Sequence, residues 1–415
     1  MQIHNYSEEE FGYVVAFREG HFGLYAKSAA PLCVSGADSE EFEPHRLTKL
    51  EITPDFHLRA PLIVWLEVTR RCNLRCPHCF VSATERQPDE LSLAQILSLL
   101  NELKAQKVFC VVFSGGEPFS RPDFIEILEH AVRLGFVIAV VTNGLLLTDT
   151  LVRNIPKGNI RITISLDNLH VGEVEHLEEN RKFSYLQSRL LLLKKEGIGC
   201  HVASTMTRQN LPTLKPIFAW LTEQEIGFRG IPFSPIGRGA SSPELQLTTA
   251  EVRDAAELWA IDLVNEQKSQ AAHPVLTFDQ CFDFAFNLVY MARACKGARF
   301  IIYICANGDA YPCTTCVGAG AYCLGNVAAS SFRNVWEDSA KEFRSLSRWD
   351  AFTNCKKCAL SGGEYFCTNR CPPLSTLYHG SPCTCGATAY DKASLTYRTK
   401  MVPYLTEVSG RSRAI

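Results

Sequence analysis

From residue 62 onward the chain alternates short apolar, β-rich runs with stretches of helical spacing. No other feature restricts the fold as much. Residues 62–68, 108–113, 137–141, 160–166, 199–206 and 227–232 read as strands, and 91–105, 123–134, 181–196 and 214–222 as helices between them. Strand–helix repetition of this kind builds a parallel sheet with right-handed crossovers. Six such units are too few to close an eight-stranded barrel and enough for a partial one. The fold class is therefore α/β, with a partial (β/α)6 barrel.

The second constraint is chemical. There are 18 cysteines in 415 residues, and they are unevenly spread. Cys72, Cys76 and Cys79 form one tight group, and eleven of the rest fall between Cys295 and Cys385, where helical spacing gives way to Cys, Gly and Pro. The length predicts two or three domains and a core that needs no disulfide staples. No basic-then-apolar leader opens the chain and no 18-residue apolar run occurs, so no membrane span is expected. That places the thiols in a reducing cytoplasm, where metal or redox use outranks disulfides. With 42 basic and 44 acidic residues the formal net charge is −2, which gives no broad basic field for nucleic acid.

These shifts divide the chain into a small N-terminal subdomain (1–60), a core (61–240), a helical connector (241–294), a cysteine-rich domain (295–390) and a tail (391–415). In the first part, 13–17 and 22–25 read as two short strands around a turn at Gly20.

Directly after the first strand comes Glu67-Val-Thr-Arg-Arg-Cys72-Asn-Leu-Arg-Cys76-Pro-His-Cys79. Sites in parallel α/β folds form at the C-terminal ends of strands. C-x3-C-x2-C supplies three soft thiolates from one loop, suited to an iron–sulfur cluster or to zinc. Zinc would need His78 or a distant cysteine as its fourth ligand.

The triplet, with Ser114-Gly115-Gly116-Glu117-Pro118 at the next strand end, resembles the radical S-adenosylmethionine (SAM) superfamily. The resemblance implies a [4Fe–4S] cluster held by Cys72, Cys76 and Cys79, with one iron left open to chelate SAM. It implies that Gly115, Gly116 and Glu117 line the methionine end of SAM. Thr142, Asn143 and Ser165, with Asp167, fall near the nucleoside or methionine, and Arg181 falls where relatives meet the SAM carboxylate. Reductive cleavage of the sulfonium would give a 5′-deoxyadenosyl radical that abstracts hydrogen from a substrate carbon, with the electron coming from an external donor such as a flavodoxin or ferredoxin.

The C-terminal cysteines resemble the SPASM domain, which carries two auxiliary [4Fe–4S] clusters. On that resemblance 299–304 and 309–311 form a hairpin turning at Asn307-Gly308. The first auxiliary cluster takes Cys295, Cys313 and Cys371, with Cys305, Cys316 and Cys323 as candidates for a fourth ligand or that position open to substrate. The second takes Cys355, Cys358, Cys367 and either Cys383 or Cys385. Eight residues between Cys358 and Cys367 replace the usual five, and an insertion at 361–364 accommodates the difference. Cys33, Cys110, Cys200 and Cys281 read as small buried hydrophobes.

Relatives of this kind mainly modify peptides or proteins by crosslinking, oxidation or excision, and a smaller group acts on tetrapyrrole side chains. Thr314 stands where the sulfatase-maturing branch carries an aspartate base, which lowers that branch. The Pro235-Ile-Gly-Arg238-Gly239 segment reads equally as a ligand contact or as a loop closing the sheet. No catalytic side chain is assigned from sequence.

Overall fold

The computed structural model describes residues 3–9, 12–17, 22–26, 53–167, 181–248, 251, 281, 288, 292–352, 354 and 371–383. Near the N-terminus lies a three-stranded antiparallel sheet, β1 (Ile3–Glu8), β2 (Gly12–Phe17) and β3 (Phe22–Ala26). The sequence anticipates β2 and β3 but not β1. The turn at Gly20 lies outside the described residues.

The main sheet contains the expected six parallel strands in sequential order. These are β4 (Ile63–Thr69), β5 (Cys110–Gly115), β6 (Val137–Thr142), β7 (Ile160–Ser165), β8 (Gly199–Met206) and β9 (Gly227–Pro232). They carry near-continuous apolar runs because both faces are covered. Helices α1 (Leu93–Ala105), α2 (Phe124–Arg133), α3 (Asp149–Asn154), α4 (Arg181–Lys195) and α5 (Leu211–Glu223) supply the connections. Val64, Leu66 and Val68 join the cluster that contains Ile96, Leu100, Phe124 and Ile127 from α1 and α2. Ile63 of β4, the preceding Leu62, and Cys110 and Val112 of β5 belong to a second cluster with Phe300 and Trp349.

The helix starts are chemically explicit. Ser92 and Gln95 form a reciprocal capping box ahead of α1. Thr148 caps the short α3, which spacing alone does not reveal. Helix α5 begins three residues earlier than its apolar spacing suggests. Pro212 occupies its first turn, where a missing N–H breaks no helical bond.

The cysteine-rich region is not a separate sheet. Strand β10 (Ile301–Ile304) pairs in parallel with β4, from Ile301 beside Ile63 to Ile304 beside Leu66. Strands β11 (Asp309–Tyr311) and β12 (Gly325–Asn326) extend it antiparallel, giving nine strands with β12 and β9 at the two edges. The sheet does not close, so the barrel is partial.

The expected hairpin is present, but its turn is longer than predicted. The Cys305 carbonyl accepts from Gly308 N at 2.9 Å and Cys305 N donates to the Asp309 carbonyl at 2.8 Å. Ala306 and Asn307 are therefore the central residues, and Gly308, at φ +91°, makes the left-handed step. The loop has three residues because Asn307 stays at a right-handed turn position and Gly308 alone takes the positive φ.

Candidate active site

The site begins where β4 ends. Its last two partners on β5 are out of step, with Thr69 opposite Gly115, so the chain leaves the sheet in a bulge. Gly116 N donates to the Thr69 carbonyl and Glu117 N to the Arg71 carbonyl, both at 2.8 Å. A Cβ on Gly116 would lie 2.2 Å from the Arg71 oxygen, and one on Gly115, at φ +132°, 2.3 Å from the Thr69 oxygen. The two glycines thus let the β5 end lie directly on the backbone that carries Cys72.

From there the loop presents Cys72, Cys76 and Cys79, all half-buried. Cys72 N donates to the Thr84 carbonyl at 2.9 Å, and Cys72 Sγ accepts from Leu74 N at 3.4 Å. Burial pushes the Cys72 thiol up, and the neighbouring Glu117, Cys76 and Cys79 add to the rise. A cation or cluster among the three sulfurs would reverse that and hold them as thiolates.

Glu117 is fully buried. It accepts from Thr142 Oγ1 at 2.8 Å, from Asn143 N at 2.8 Å and from Phe119 N at 3.1 Å. Burial raises its pKa to about 7, against the lowering effect of those donors. Its role here is to join the β5 end to the β6 end. Asn143 then reaches the cysteine loop, its Nδ2 donating to Asn73 Oδ1 at 2.8 Å.

At the end of β7, Ser165 is half-buried beside Ala203 of β8. Asp167 lies two residues on, accepts from Thr205 N at 2.5 Å, and sits 3.2 Å from His78 Nε2. A cavity of about 350 Å³ opens here, lined by Arg75, Cys76, His78, Asp167, Thr207 and Asn210 among others. Arg181 is the first residue of α4; residues 168–180 ahead of it are outside the described set.

The 235–239 segment closes on the cysteine loop. Arg238 N donates to the Cys79 carbonyl at 3.0 Å, its Nε to the Cys76 carbonyl at 2.9 Å and its Nη1 to the Ala83 carbonyl at 2.8 Å. Gly237, at φ +56°, leaves 2.2 Å between a would-be Cβ and the Phe80 oxygen. This clamp is a loop contact between the two ends of the six-stranded run.

Two further groups were not marked by any sequence signal. Glu67, fully buried, accepts from Tyr303 Oη at 2.7 Å, from Arg70 Nε at 2.6 Å and from Ala306 N at 3.2 Å. It fastens the β10–β11 hairpin to the root of the cysteine loop. Glu90 accepts from Thr69 Oγ1 and Arg70 N and so fixes the same root from the α1 side.

A second set of sulfurs gathers beyond the hairpin. Cys295 N donates to the Ser347 carbonyl at 3.1 Å, and its Sγ accepts from Gly297 N at 3.4 Å. Cys313 follows β11, and Cys371 precedes the helix α6 (Pro372–His379). Burial raises the Cys295 and Cys371 thiols, and Cys313 adds to both by charge repulsion. The hydrogen bond from Cys316 pulls Cys313 down to about 6. Among the described residues, no three His, Cys, Asp or Glu side chains meet as a single metal ion would require. A cubic cluster instead takes one thiolate at each iron corner and asks for sulfurs spread around a volume.

Cys383 is half-buried with its Sγ 3.6 Å from the Leu346 carbonyl, whereas Cys355, Cys358, Cys367 and Cys385 lie outside the described residues. Cys110 and Cys281 are buried as expected of small hydrophobes, Cys200 is half-buried, and Cys33 is outside the described set.

Residues 66–220 match the family model of the radical SAM superfamily, and 295–359 match that of the SPASM iron–sulfur cluster-binding domain. The chain is a radical SAM enzyme with a SPASM domain. Membership implies [4Fe–4S] clusters and SAM binding, and the three-thiolate loop beside a polar cavity fits both.

The radical SAM/SPASM chain is 28% identical over 308 residues to mycofactocin maturase MftC of Mycolicibacterium smegmatis, covering 72% of this chain and 76% of that one. It is 28% identical over 326 residues to an AdoMet-dependent heme synthase of Oleidesulfovibrio alaskensis, covering 72% and 79%. Its fold matches Streptococcus suis SuiB bound to S-adenosylmethionine, with a TM-score of 0.65 at 17% identity over 94% of this chain and 98% of that one. SuiB bound to the precursor peptide SuiA gives the same TM-score at 16% identity, over 93% and 98%. Among the described residues no helix is long and apolar enough to cross a membrane.

Proposed function

We propose that this radical SAM/SPASM enzyme modifies a peptide, producing a crosslink, an oxidation or an excision. When bound, the cluster and SAM supply reductive sulfonium cleavage to a 5′-deoxyadenosyl radical. The observation that carries the reading is the three-cysteine loop, whose Cys76 lines a cavity together with His78 and Asp167. Three thiolates leave one iron of a cube without a protein ligand, and the polar strand ends beside it suit an amino-acid-like ligand.

The chain's own residues do the rest. Gly115 and Gly116 bring main chain against the loop, and Glu117 holds Thr142 and Asn143 at the β6 end, from which Asn143 reaches Asn73 of the loop. The carboxylate of Asp167 fixes the His78 ring, and Ser165 and Arg181 lie on the adjoining strand end and helix start. We assign the second sulfur group, Cys295, Cys313 and Cys371, to a first auxiliary cluster. Cys355, Cys358, Cys367 and Cys383 are assigned to a second. An external flavodoxin or ferredoxin in a reducing cytoplasm would deliver the electron.

The heme synthase relative supports a second reading, tetrapyrrole side-chain chemistry. Anaerobic turnover with dithionite and SAM, offered candidate precursor peptides or an iron porphyrin, separates them. We expect 5′-deoxyadenosine together with a mass change in the peptide. A mass change in an iron porphyrin and none in the peptide would overturn the peptide reading, and no 5′-deoxyadenosine with either would overturn both.

A further inference from the structure

We propose that Cys316 is the fourth protein ligand of the cluster assigned to Cys295, Cys313 and Cys371, so that cysteine occupies every iron of that cluster. This rests on the auxiliary-cluster reading above. Three cysteines of the same stretch compete for the position, and their surroundings separate them.

Cys316 is fully buried, and its Sγ lies 3.8 Å from Cys313 Sγ. A single 3₁₀ turn, Thr314–Cys316, places it there, closed by Cys316 N donating to the Cys313 carbonyl at 3.1 Å. C-x2-C on such a turn aims both sulfurs at one volume, the spacing on which iron–sulfur sites commonly rely. The charges that act on Cys316 are those of Cys313, Cys371 and Cys295. Helix α6, which Cys371 precedes, packs on the same turn, and nearby Tyr322 Oη bonds Thr376 Oγ1 of that helix at 3.1 Å.

The competitors face elsewhere. Cys305 is surrounded by Glu67, Arg70 and Asp309, on the side of the hairpin that meets the β4 root. Cys323 is exposed, with its Sγ against the Gly325 carbonyl at 3.8 Å. A buried cysteine is more often plain packing than a ligand. The sulfur–sulfur contact with Cys313 and the three thiols around Cys316 set it apart from Cys110, which has neither. Burial lowers the pKa of Lys296, and the charges of Cys313, Cys295 and Cys371 act against that lowering. With four thiolates, this cluster has no iron for substrate and serves electron transfer, unlike the three-thiolate loop.

The test uses the full chain with Cys72, Cys76 and Cys79 replaced by Ala, reconstituted anaerobically. Iron and sulfide per chain, electron paramagnetic resonance of oxidised and reduced protein, and midpoint potentials are read. We expect C316A to lose iron from one cluster and to show a three-iron signal when oxidised. C316S should keep its iron but shift that cluster's potential, while C305A and C323A match the parent. The inference is overturned if C316A matches the parent in all three readouts, or if C323A or C305A shows the loss instead. If C295A and C313A also leave iron and spectra unchanged, the auxiliary-cluster reading itself falls and takes the inference with it. Each substitution is also made with the first three cysteines intact. There a SAM-dependent change in the remaining spectrum certifies that the variant has folded.

Discussion

At the scale of single residues, the least expected behaviour belongs to Glu117. A glutamate ordinarily titrates near 4.5, and burial lifts this one to about 7. The displacement corresponds to roughly 3 kcal/mol. Because the folded value is the higher one, the stabilising contribution is complete below about 4.5. It is lost as pH rises from there through about 7. Glu117→Gln cannot ionise, so the melting temperature of wild type should fall across that interval more steeply than that of the variant. Parallel curves would show that Glu117 does not titrate there. The sequence marks Gly115, Gly116 and Glu117 through their place after the cysteine triplet, yet it does not say what they touch. The glycines meet Thr69 and Arg71, and the carboxylate meets Thr142 and Asn143. Such contacts are set by the register between strands, which no local pattern contains.

Among the elements, the joint between β4 and the β10–β11 hairpin holds the two cysteine regions together. Removing the hydroxyl in Tyr303→Phe deprives buried Glu67 of one of three donors, at a cost of about 1–3 kcal/mol. Burial already raises the Glu67 pKa, and losing a donor makes ionisation harder still. The deficit should therefore widen as pH rises. Urea midpoints at two pH values check this, and equal midpoints for variant and wild type would remove the pair from the joint. The six parallel strands and four of the helices were legible because apolar period and strand length agree. Helix α3 is six residues long and escapes any periodicity. The pairing of β10 with β4 joins residues more than 230 positions apart, which spacing cannot reveal. The hairpin turn was misplaced by one residue because Asn-Gly favours a two-residue loop, whereas here Gly308 alone takes the positive φ.

For the molecule as a whole, the nine-stranded sheet makes the cysteine-rich region a structural partner of the barrel strands. Strand β10 covers the edge of β4, whose facing residues, Ile63, Val64 and Leu66, are fully buried. Ending the chain at residue 240 would bare that edge, and an uncovered apolar strand edge recruits other chains. The shortened protein should run as large oligomers or aggregate in light scattering, while the full chain does not. A stable, soluble monomer would show that β4 needs no cover. Arg238 gives the architecture one more property. The sheet is an unclosed arc, yet the guanidinium that follows β9 grips the Cys76 and Ala83 oxygens beyond β4, so the rim is laced together where the wall is not. Any guest that spread the arc would tug on the very peptide groups that carry Cys76 and Cys79, making the mouth of the vessel and its three-cysteine loop a single mechanical unit.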